Sequence, residues 1–362
     1  MNQNQMTYHP KSGPDEAALF SGASASVSIP LTISVSFGSP SVGEIPSAIA
    51  AAPQPAGAPA AGEVERAVPT STVAVGQFSI DSLRDAEFNW KAALSTALAC
   101  RLAYETRQQV EATARNLWGF TGCTFVSLVD TECFVATSPA VVLVAFRGTA
   151  GVADWIADLN FLSITRPYGT VHRGFCYAFQ DVNARLRQIL SLFTGLPVVV
   201  TGHSLGGALA TIAAAEWSGQ VPVARIFTFG QPAVGTDGFA NFIDQNYARR
   251  FFRFVNHNDA VARVPPGYQH VGRLFHFDRV GNLQGQAESP ALGRAETPTM
   301  SHAEFDQLRS VLLAKRAANR RAGITEALDA DVEVATESIF GFPSIRDHSL
   351  DQYIPKIQRH VS

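Results

Sequence analysis

One short run of residues combines a serine with the local structure that could make it a nucleophile. Residues 197–210 read PVVVTGHSLGGALA, so a β-branched stretch stops at Gly202 and a stretch rich in alanine and leucine follows. This pattern predicts a buried strand that turns sharply into a helix, with Ser204 on the turn. Glycines at 202 and 206 remove side chains that would collide around such a strained serine. We therefore predict that Ser204 is a nucleophile. The N–H of Leu205 at the helix start would stabilise the oxyanion that forms when Ser204 attacks a carbonyl group.

An activated serine needs a histidine within hydrogen-bond reach and a carboxylate that holds the imidazole. On α/β-hydrolase folds the carboxylate and then the histidine follow the serine along the chain, at the C-terminal ends of sheet strands. Asp259 follows the strand-like run 250–256 after a short polar turn, so we predict that it is the carboxylate. Asp237, in a loop flanked by glycine, is its rival.

Several histidines follow Asp259, and one is the preferred general base. His348 lies in a polar run that leads into a helix near the end of the fold, where a loop could place its imidazole over Ser204. On position alone the other candidates stay open, namely His270, His276, His302 and His360.

The segment after an early buried strand predicts the rest of the site. Thr149 follows the apolar run 140–146, so its N–H and hydroxyl can supply the second oxyanion donor, unless it only caps a helix. The next segment, 151–162, predicts a short helix with four apolar residues on one face. They are Trp155, Ile156, Leu159 and Leu162. Such a face suits a lid that meets lipid, and a buried core helix is the alternative.

The order of elements predicts how these residues come together. Apolar runs predict strands at 124–129, 133–137, 140–146, 197–202, 225–229 and 250–255. Helical spacing predicts helices from Asp81 onward and at 106–117, 175–194 and 205–217. Strands that alternate with helices indicate an α/β fold, with a mostly parallel central sheet covered by helices on both faces.

Composition limits the other possibilities. The 362 residues are 46% hydrophobic with a net charge of −3, which allows a large core and gives no sign of a nucleic-acid partner. Four cysteines without metal-ligand spacing predict buried free thiols, with one disulfide as the alternative. We expect neither a metal nor a cofactor.

The two ends of the chain differ in character. Residues 1–75, rich in alanine, proline and serine, predict a disordered arm, and 76–362 predict the hydrolase domain with a polar insertion at 279–340. The insertion contains a predicted helix at 303–321 that ends in a basic run. We interpret this helix as a solvated surface helix, and contact with an anionic membrane or a partner is the alternative. With no clear signal peptide or transmembrane stretch, a cytoplasmic location is the default expectation, and leaderless secretion is the alternative.

Taken together and in this order, six motifs resemble the class 3 lipases, the fungal triacylglycerol lipase-like family of α/β-hydrolases. The matching signatures are VAFRGT at 144–149, DWIADL at 154–159, VHRGF at 171–175, GHSLGG at 202–207, TFGQP at 228–232 and DHS at 347–349. The resemblance implies a triad of Ser204, Asp259 and His348. It also implies an oxyanion hole at Thr149 and Leu205, and an interfacial lid that contains Trp155.

We therefore expect a serine carboxylic-ester hydrolase that acts on acylglycerols through an acyl-enzyme. Its partners would be a lipid or ester substrate and, transiently, a lipid interface that the lid contacts. Phospholipase A1 and feruloyl-type carboxylesterase activity on the same fold are alternatives, and a catalytically idle lipase-like interaction protein is a more distant one. The arm at 1–75 and the insertion at 279–340 have no counterpart in the compact secreted fungal lipases that the motifs resemble.

Overall fold

The structure, a computed structural model, describes residues 77–85, 87–284, 299–322 and 343–361. All of them belong to the compact unit that spans residues 67–362. The predicted arm, residues 1–75, lies outside the described residues.

The described residues form nine strands, and helices lie between several of them along the chain. They are β1 Gly122–Leu128, β2 Thr131–Thr137, β3 Val142–Phe146, β4 Ser163–Arg166, β5 Gly169–His172, β6 Val198–His203, β7 Val223–Phe229, β8 Phe251–Asn256 and β9 Arg273–Phe277. The helices are α1 Trp90–Leu102, α2 Arg107–Ala112, α3 Val152–Asp158, α4 Arg173–Leu190, α5 Leu205–Glu216, α6 Asp237–Tyr247, α7 His302–Arg321 and α8 Leu350–Gln358.

Seven of these strands form one sheet, in the order β1-β2-β3-β6-β7-β8-β9. The pairs β1–β2 and β2–β3 are antiparallel, and every pair from β3 to β9 is parallel. Parallel strands deliver their carboxyl ends to one edge of a sheet, which is where ligands bind in open α/β folds. The predicted α/β class with a mostly parallel sheet is confirmed.

Helices cover both faces of the sheet, as the strand composition predicts. Along β3, Val142, Val144 and Phe146 face the core that includes α4 and α5, while Leu143 and Ala145 face the core that includes α1 and α8. A strand buried on both sides has no polar face, and this explains why β3 is apolar throughout.

The first predicted helix starts later than expected. Asp81 begins only a short 3-10 turn, Asp81–Arg84, and does not cap the long helix. That helix, α1, begins at Trp90, because the side chain of Asn89 accepts a hydrogen bond from the N–H of Ala92 (2.6 Å) and satisfies one of the free donors of the first turn.

The remaining comparisons with the sequence predictions concern three strands, the cysteines and membrane-spanning helices. The strands predicted from the sequence include neither the β4–β5 hairpin nor β9. All four cysteines are free and buried, as expected. Within the described part of the chain, no helix is both long enough and apolar enough to cross a membrane.

Candidate active site

Ser204 occupies the predicted sharp turn between β6 and α5. Its backbone has φ 59° and ψ −132°, a left-handed conformation that L residues rarely adopt, and it precedes the first residue of α5. The turn is held because the N–H of Ser204 donates to the carbonyl of Phe229 (3.0 Å). A Cβ on Gly202 would collide with the carbonyl of Gly206, so the two glycines let strand and helix approach each other.

Asp259 and His348 meet although they lie far apart in the chain. Asp259 follows β8 after a short turn, and His348 lies in a 3-10 turn, Arg346–His348, just before α8. The Nδ1 atom of His348 lies 3.0 Å from Oδ1 and 2.9 Å from Oδ2 of Asp259, and both residues are buried. A carboxylate in this position fixes which ring nitrogen carries the proton and leaves Nε2 for chemistry.

Asp259 is held as a charged acceptor. Burial alone would raise its pKa, but the charge of His348 and hydrogen bonds from His348 and Tyr353 outweigh burial, so the pKa of Asp259 lies below its ordinary value. The hydroxyl of Tyr353 donates to Oδ2 (2.6 Å), and the N–H of Val261 donates to Oδ1 (2.8 Å). Sequence reasoning missed Tyr353, which lies in α8 one turn and a half after His348.

A second histidine, His203, contacts the predicted base His348 and directly precedes the predicted nucleophile Ser204. The ring of His203, the residue before Ser204, stacks on the ring of His348 with centroids 4.4 Å apart. In addition, Nε2 of His203 lies 2.7 Å from the carbonyl oxygen of His348. These contacts place His348 beside the elbow. Within the described residues, Oγ of Ser204 and Nε2 of His348 are buried without a hydrogen-bond partner, so these two atoms bond neither to each other nor to a competing group.

The protonation state of His203 follows from its partners. Its pKa is lowered to about 3, first by burial and then by the neighbouring His348, so the ring is neutral near pH 7. A carbonyl oxygen can only accept, so Nε2 carries the proton. Its Nδ1 therefore accepts a hydrogen bond from the hydroxyl of Tyr104, at 2.9 Å.

We expect Tyr104→Phe to lower the free energy of unfolding by about 2 kcal/mol, because the substitution leaves the buried Nδ1 of His203 without a donor. Urea denaturation of both proteins measures the difference. Tyr177→Phe is the matched control, since Tyr177 is 55% exposed, and it should leave stability unchanged. Equal stability of Tyr104→Phe and the parent chain would contradict the assigned tautomer.

Gly230 is a further residue that sequence reasoning missed. It follows β7 with φ +56°, and a Cβ there would lie 2.7 Å from Oδ2 of Asp259 and 2.7 Å from Nδ1 of His348. The carboxylate and imidazole therefore pack directly on its bare backbone. A glycine that directly follows a predicted strand is the sequence signal that could have identified Gly230.

Thr149 and Leu205 lie on the wall of one pocket of about 330 Å³, beside the elbow. The same pocket is lined by the ion pair between Arg147 and Glu132. The loop approaches the nucleophile closely, because a Cβ on Gly148 would lie 2.9 Å from Cβ of Ser204. The residues that carry the two predicted oxyanion donors therefore line one cavity, while the lining of that cavity does not include Ser204 itself.

The predicted lid helix is shorter and more buried than expected. Helix α3 ends at Asp158, and Leu159 is already extended, so the prediction that all four apolar residues share one helical face is wrong. Ile156 and Leu159 are buried, whereas Leu162 is 48% exposed.

The backbone beyond α3 binds other elements instead of continuing the helix. The carbonyl of Asn160 bonds to the ring of His172, and the carbonyl of Phe161 accepts from the hydroxyl of Tyr268 (3.0 Å). Trp155 is partly buried and stacks on Phe175, with centroids 6.1 Å apart. The segment predicted to be a lid is therefore packed against the body of the protein in this structure.

The rival residues left open by the sequence lie in other parts of the fold, and they are Asp237, His270, His276, His302 and His360. Asp237 and His302 each begin a helix. His270 is buried, His276 bonds to the carbonyl of His257, and His360 stacks on Trp90. In the part of the chain that the structure describes, no group of three His, Cys, Asp or Glu side chains could hold a metal ion.

Comparison with known proteins adds an independent finding. The sequence model of the family described as "Lipase (class 3)" matches residues 143–269. This region contains Thr149, Trp155, Ser204 and Asp259 but not His348, which the fold brings back to the same site.

Three fungal relatives show similar sequences. "Secreted mono- and diacylglycerol lipase 1" of Fusarium solani is 38% identical over 157 residues, which cover 40% of this chain and 47% of that protein. "Lipase" of Rhizomucor miehei is 35% identical over 165 residues, covering 41% and 45%. "Secreted mono- and diacylglycerol lipase A" of Penicillium camembertii is 32% identical over 190 residues, covering 48% and 60%. The matched region thus spans about half the length of these relatives.

Proposed function

We propose that this chain, which belongs to the class 3 lipase family of α/β-hydrolases, is a serine hydrolase that cleaves the carboxylic esters of acylglycerols. The observation that carries the proposal is the contact of Asp259 with His348, beside the strained elbow that presents Ser204. A serine, an imidazole and a buried carboxylate in this relation can perform acyl transfer without any further group.

The first half of the reaction forms an acyl-enzyme. Nε2 of His348 takes the proton of the Ser204 hydroxyl while Oγ attacks the ester carbonyl carbon. The tetrahedral intermediate collapses when the alkoxide leaves with the proton that His348 returns to it. Asp259 stabilises the imidazolium throughout, since its lowered pKa keeps it charged. In the second half, His348 takes a proton from a water molecule whose oxygen attacks the acyl carbon. Oγ of Ser204 then leaves with the proton that His348 returns to it, and the fatty acid is released.

The negative oxygen of the intermediate needs donors on one side of Ser204. The N–H of Leu205 at the start of α5 is one, and the N–H or hydroxyl of Thr149 is the other. Their common position on the wall of one pocket supports this pairing. Because these donors are fixed by the fold, they need no reorganisation as charge develops.

The segment from Val152 to Leu162 is proposed as a lid over the site. In support, Ser204 and His348 are almost fully buried, so an ester can reach them only if a covering element moves. The apolar side of this segment, with Trp155 and Ile156, would then become available to a lipid surface.

A substrate panel tests the proposed function on one preparation of the full chain. We expect tri-, di- or monoacylglycerol emulsions to give the highest kcat/KM when released fatty acid is titrated, with a rate that rises as substrate passes from monomer to emulsion. A higher kcat/KM on a feruloyl ester would replace the proposal with an esterase. A higher kcat/KM on phosphatidylcholine would replace it with a phospholipase.

The expected cytoplasmic location is wrong. Relatives from Fusarium solani and Penicillium camembertii carry the word "secreted" in their names. An extracellular location is therefore proposed for this chain, and it agrees with an activity on lipid emulsions.

A further inference from the structure

Helix α7 carries a concentrated positive charge on a chain whose net charge is −3. Between residues 307 and 322 it has no carboxylate and five cations, namely Arg309, Lys315, Arg316, Arg320 and Arg321. With 3.6 residues per turn, the spacing of Arg309, Leu313, Arg316 and Arg320 aligns them along one side of the helix. We call these four residues the basic stripe.

The basic stripe lies against the lid segment. Arg316 binds Asp158 through two hydrogen bonds of 2.9 Å and also approaches Asp154 at 3.4 Å. The pKa of Asp158 is lowered, first by the hydrogen bond from Arg316 and further by the charges of Arg309 and Arg320, so these arginines lie near the lid carboxylate. The start of α7 also packs on the lid, where Phe305 meets the ring of Phe161 at 4.8 Å.

The stripe is amphipathic and open to solvent. Arg309 and Arg320 are exposed, and Leu313 between them is 40% exposed, as is Leu162 at 48% near the end of the lid segment. The opposite side of α7 is anchored in the core through Phe305, Leu308 and Leu312. Exposed leucines among arginines on an anchored helix have the chemistry of a surface that binds anionic lipid headgroups.

We propose that the basic stripe docks this chain on anionic lipid surfaces and that docking loosens the lid. Lipid phosphates compete with Asp154 and Asp158 for Arg316, and the lid loses the ion pairs that hold it against α7. The second step rests on the proposed function, since it assumes that the lid covers Ser204.

Vesicle sedimentation tests the docking step on the full chain with Ser204→Ala, so that the lipid is not consumed. We expect binding to vesicles in which about a third of the lipid is phosphatidylglycerol, weaker binding to pure phosphatidylcholine, and loss of binding in high salt. Adding Arg309→Gln and Arg320→Gln should weaken anionic binding about 25-fold, or about fivefold for each arginine.

The matched control removes two exposed arginines on other elements. Arg84 and Arg185 are both exposed, and replacing both with glutamine changes the net charge by the same amount. This control should bind like the parent chain. Equal binding to neutral and anionic vesicles, or an equal loss in both double variants, would overturn the proposed docking surface.

A second experiment tests the coupling to the lid. In the active chain without vesicles, Arg316→Gln should raise turnover of monomeric p-nitrophenyl butyrate about fivefold, because the lid opens more often. Arg166→Gln, which breaks the ion pair with Glu216, is the control and should change nothing. Unchanged turnover in Arg316→Gln would overturn the coupling.

Failure of this inference can be distinguished from failure of the proposed function. If the chain is not a serine hydrolase, ester turnover and fluorophosphonate labelling of Ser204 are absent, while vesicle binding still discriminates between lipids. If the inference fails, turnover and labelling persist without any preference for anionic vesicles.

Discussion

Replacing Ser204 with alanine is expected to lower kcat/KM for p-nitrophenyl butyrate about 10⁶-fold. In the proposed mechanism the hydroxyl oxygen of Ser204 forms the covalent bond, and the donors proposed at Thr149 and Leu205 can only polarise the carbonyl. Alanine keeps the Cβ and the backbone of the turn, so circular dichroism and the urea midpoint should stay unchanged. Labelling by a fluorophosphonate probe should be lost together with activity.

Two further variants control for this result. Ser191→Ala removes the hydroxyl of an exposed serine and should keep full activity and labelling. The double variant Ser204→Ala/His348→Ala should be no slower than Ser204→Ala alone, because residues that act as one unit give non-additive losses. Turnover by Ser204→Ala at a rate near that of the parent chain would remove Ser204 from the mechanism.

Asp259→Asn is expected to lower kcat about 10⁴-fold with little change in KM. An amide can donate to Nδ1 of His348, which favours the tautomer whose Nε2 carries the proton and cannot act as a base. The charge that balances the imidazolium is lost as well. Saturation kinetics on a soluble ester measure both constants, and a urea midpoint checks that the buried substitution has not unfolded the chain.

The rival carboxylate supplies the control for this second result. Asp237 begins α6, whereas the carboxylate that contacts Nδ1 of His348 is that of Asp259, so Asp237→Asn should change kcat by less than about twofold. A large loss in Asp237→Asn with an active Asp259→Asn would reverse the assignment and return Asp237 to the triad.

Local features of the fold could be predicted from the residues because their causes are adjacent in the chain. The elbow needs only β6, two glycines and the start of α5, and all of them lie within one short run. The apolar β3 likewise predicts a strand buried on both faces. In contrast, the start of α1 depends on the cap at Asn89, and the end of α3 depends on His172 and Tyr268, which belong to other elements.

The residues that support the site could not be found in this way. Tyr104, His203 and Tyr353 support the proposed triad through hydrogen bonds to partners distant in sequence, and a tyrosine in or beside a helix carries no mark of that role. Gly230 matters only because Asp259 and His348 pack on it. Such roles exist only once the chain has folded.

The sequence by itself determined that Ser204 stands on a strained strand-to-helix turn, because short-range sterics at Gly202 and Gly206 allow little else. It also limited the partners to carboxylates and histidines that follow the serine. Only the tertiary structure brought Asp259 and His348 into contact, since the carboxyl ends of parallel strands meet at one edge and α8 returns the chain to it. The structure likewise brought Arg316 of α7 against Asp154 and Asp158 of α3, a contact between segments that are far apart along the chain.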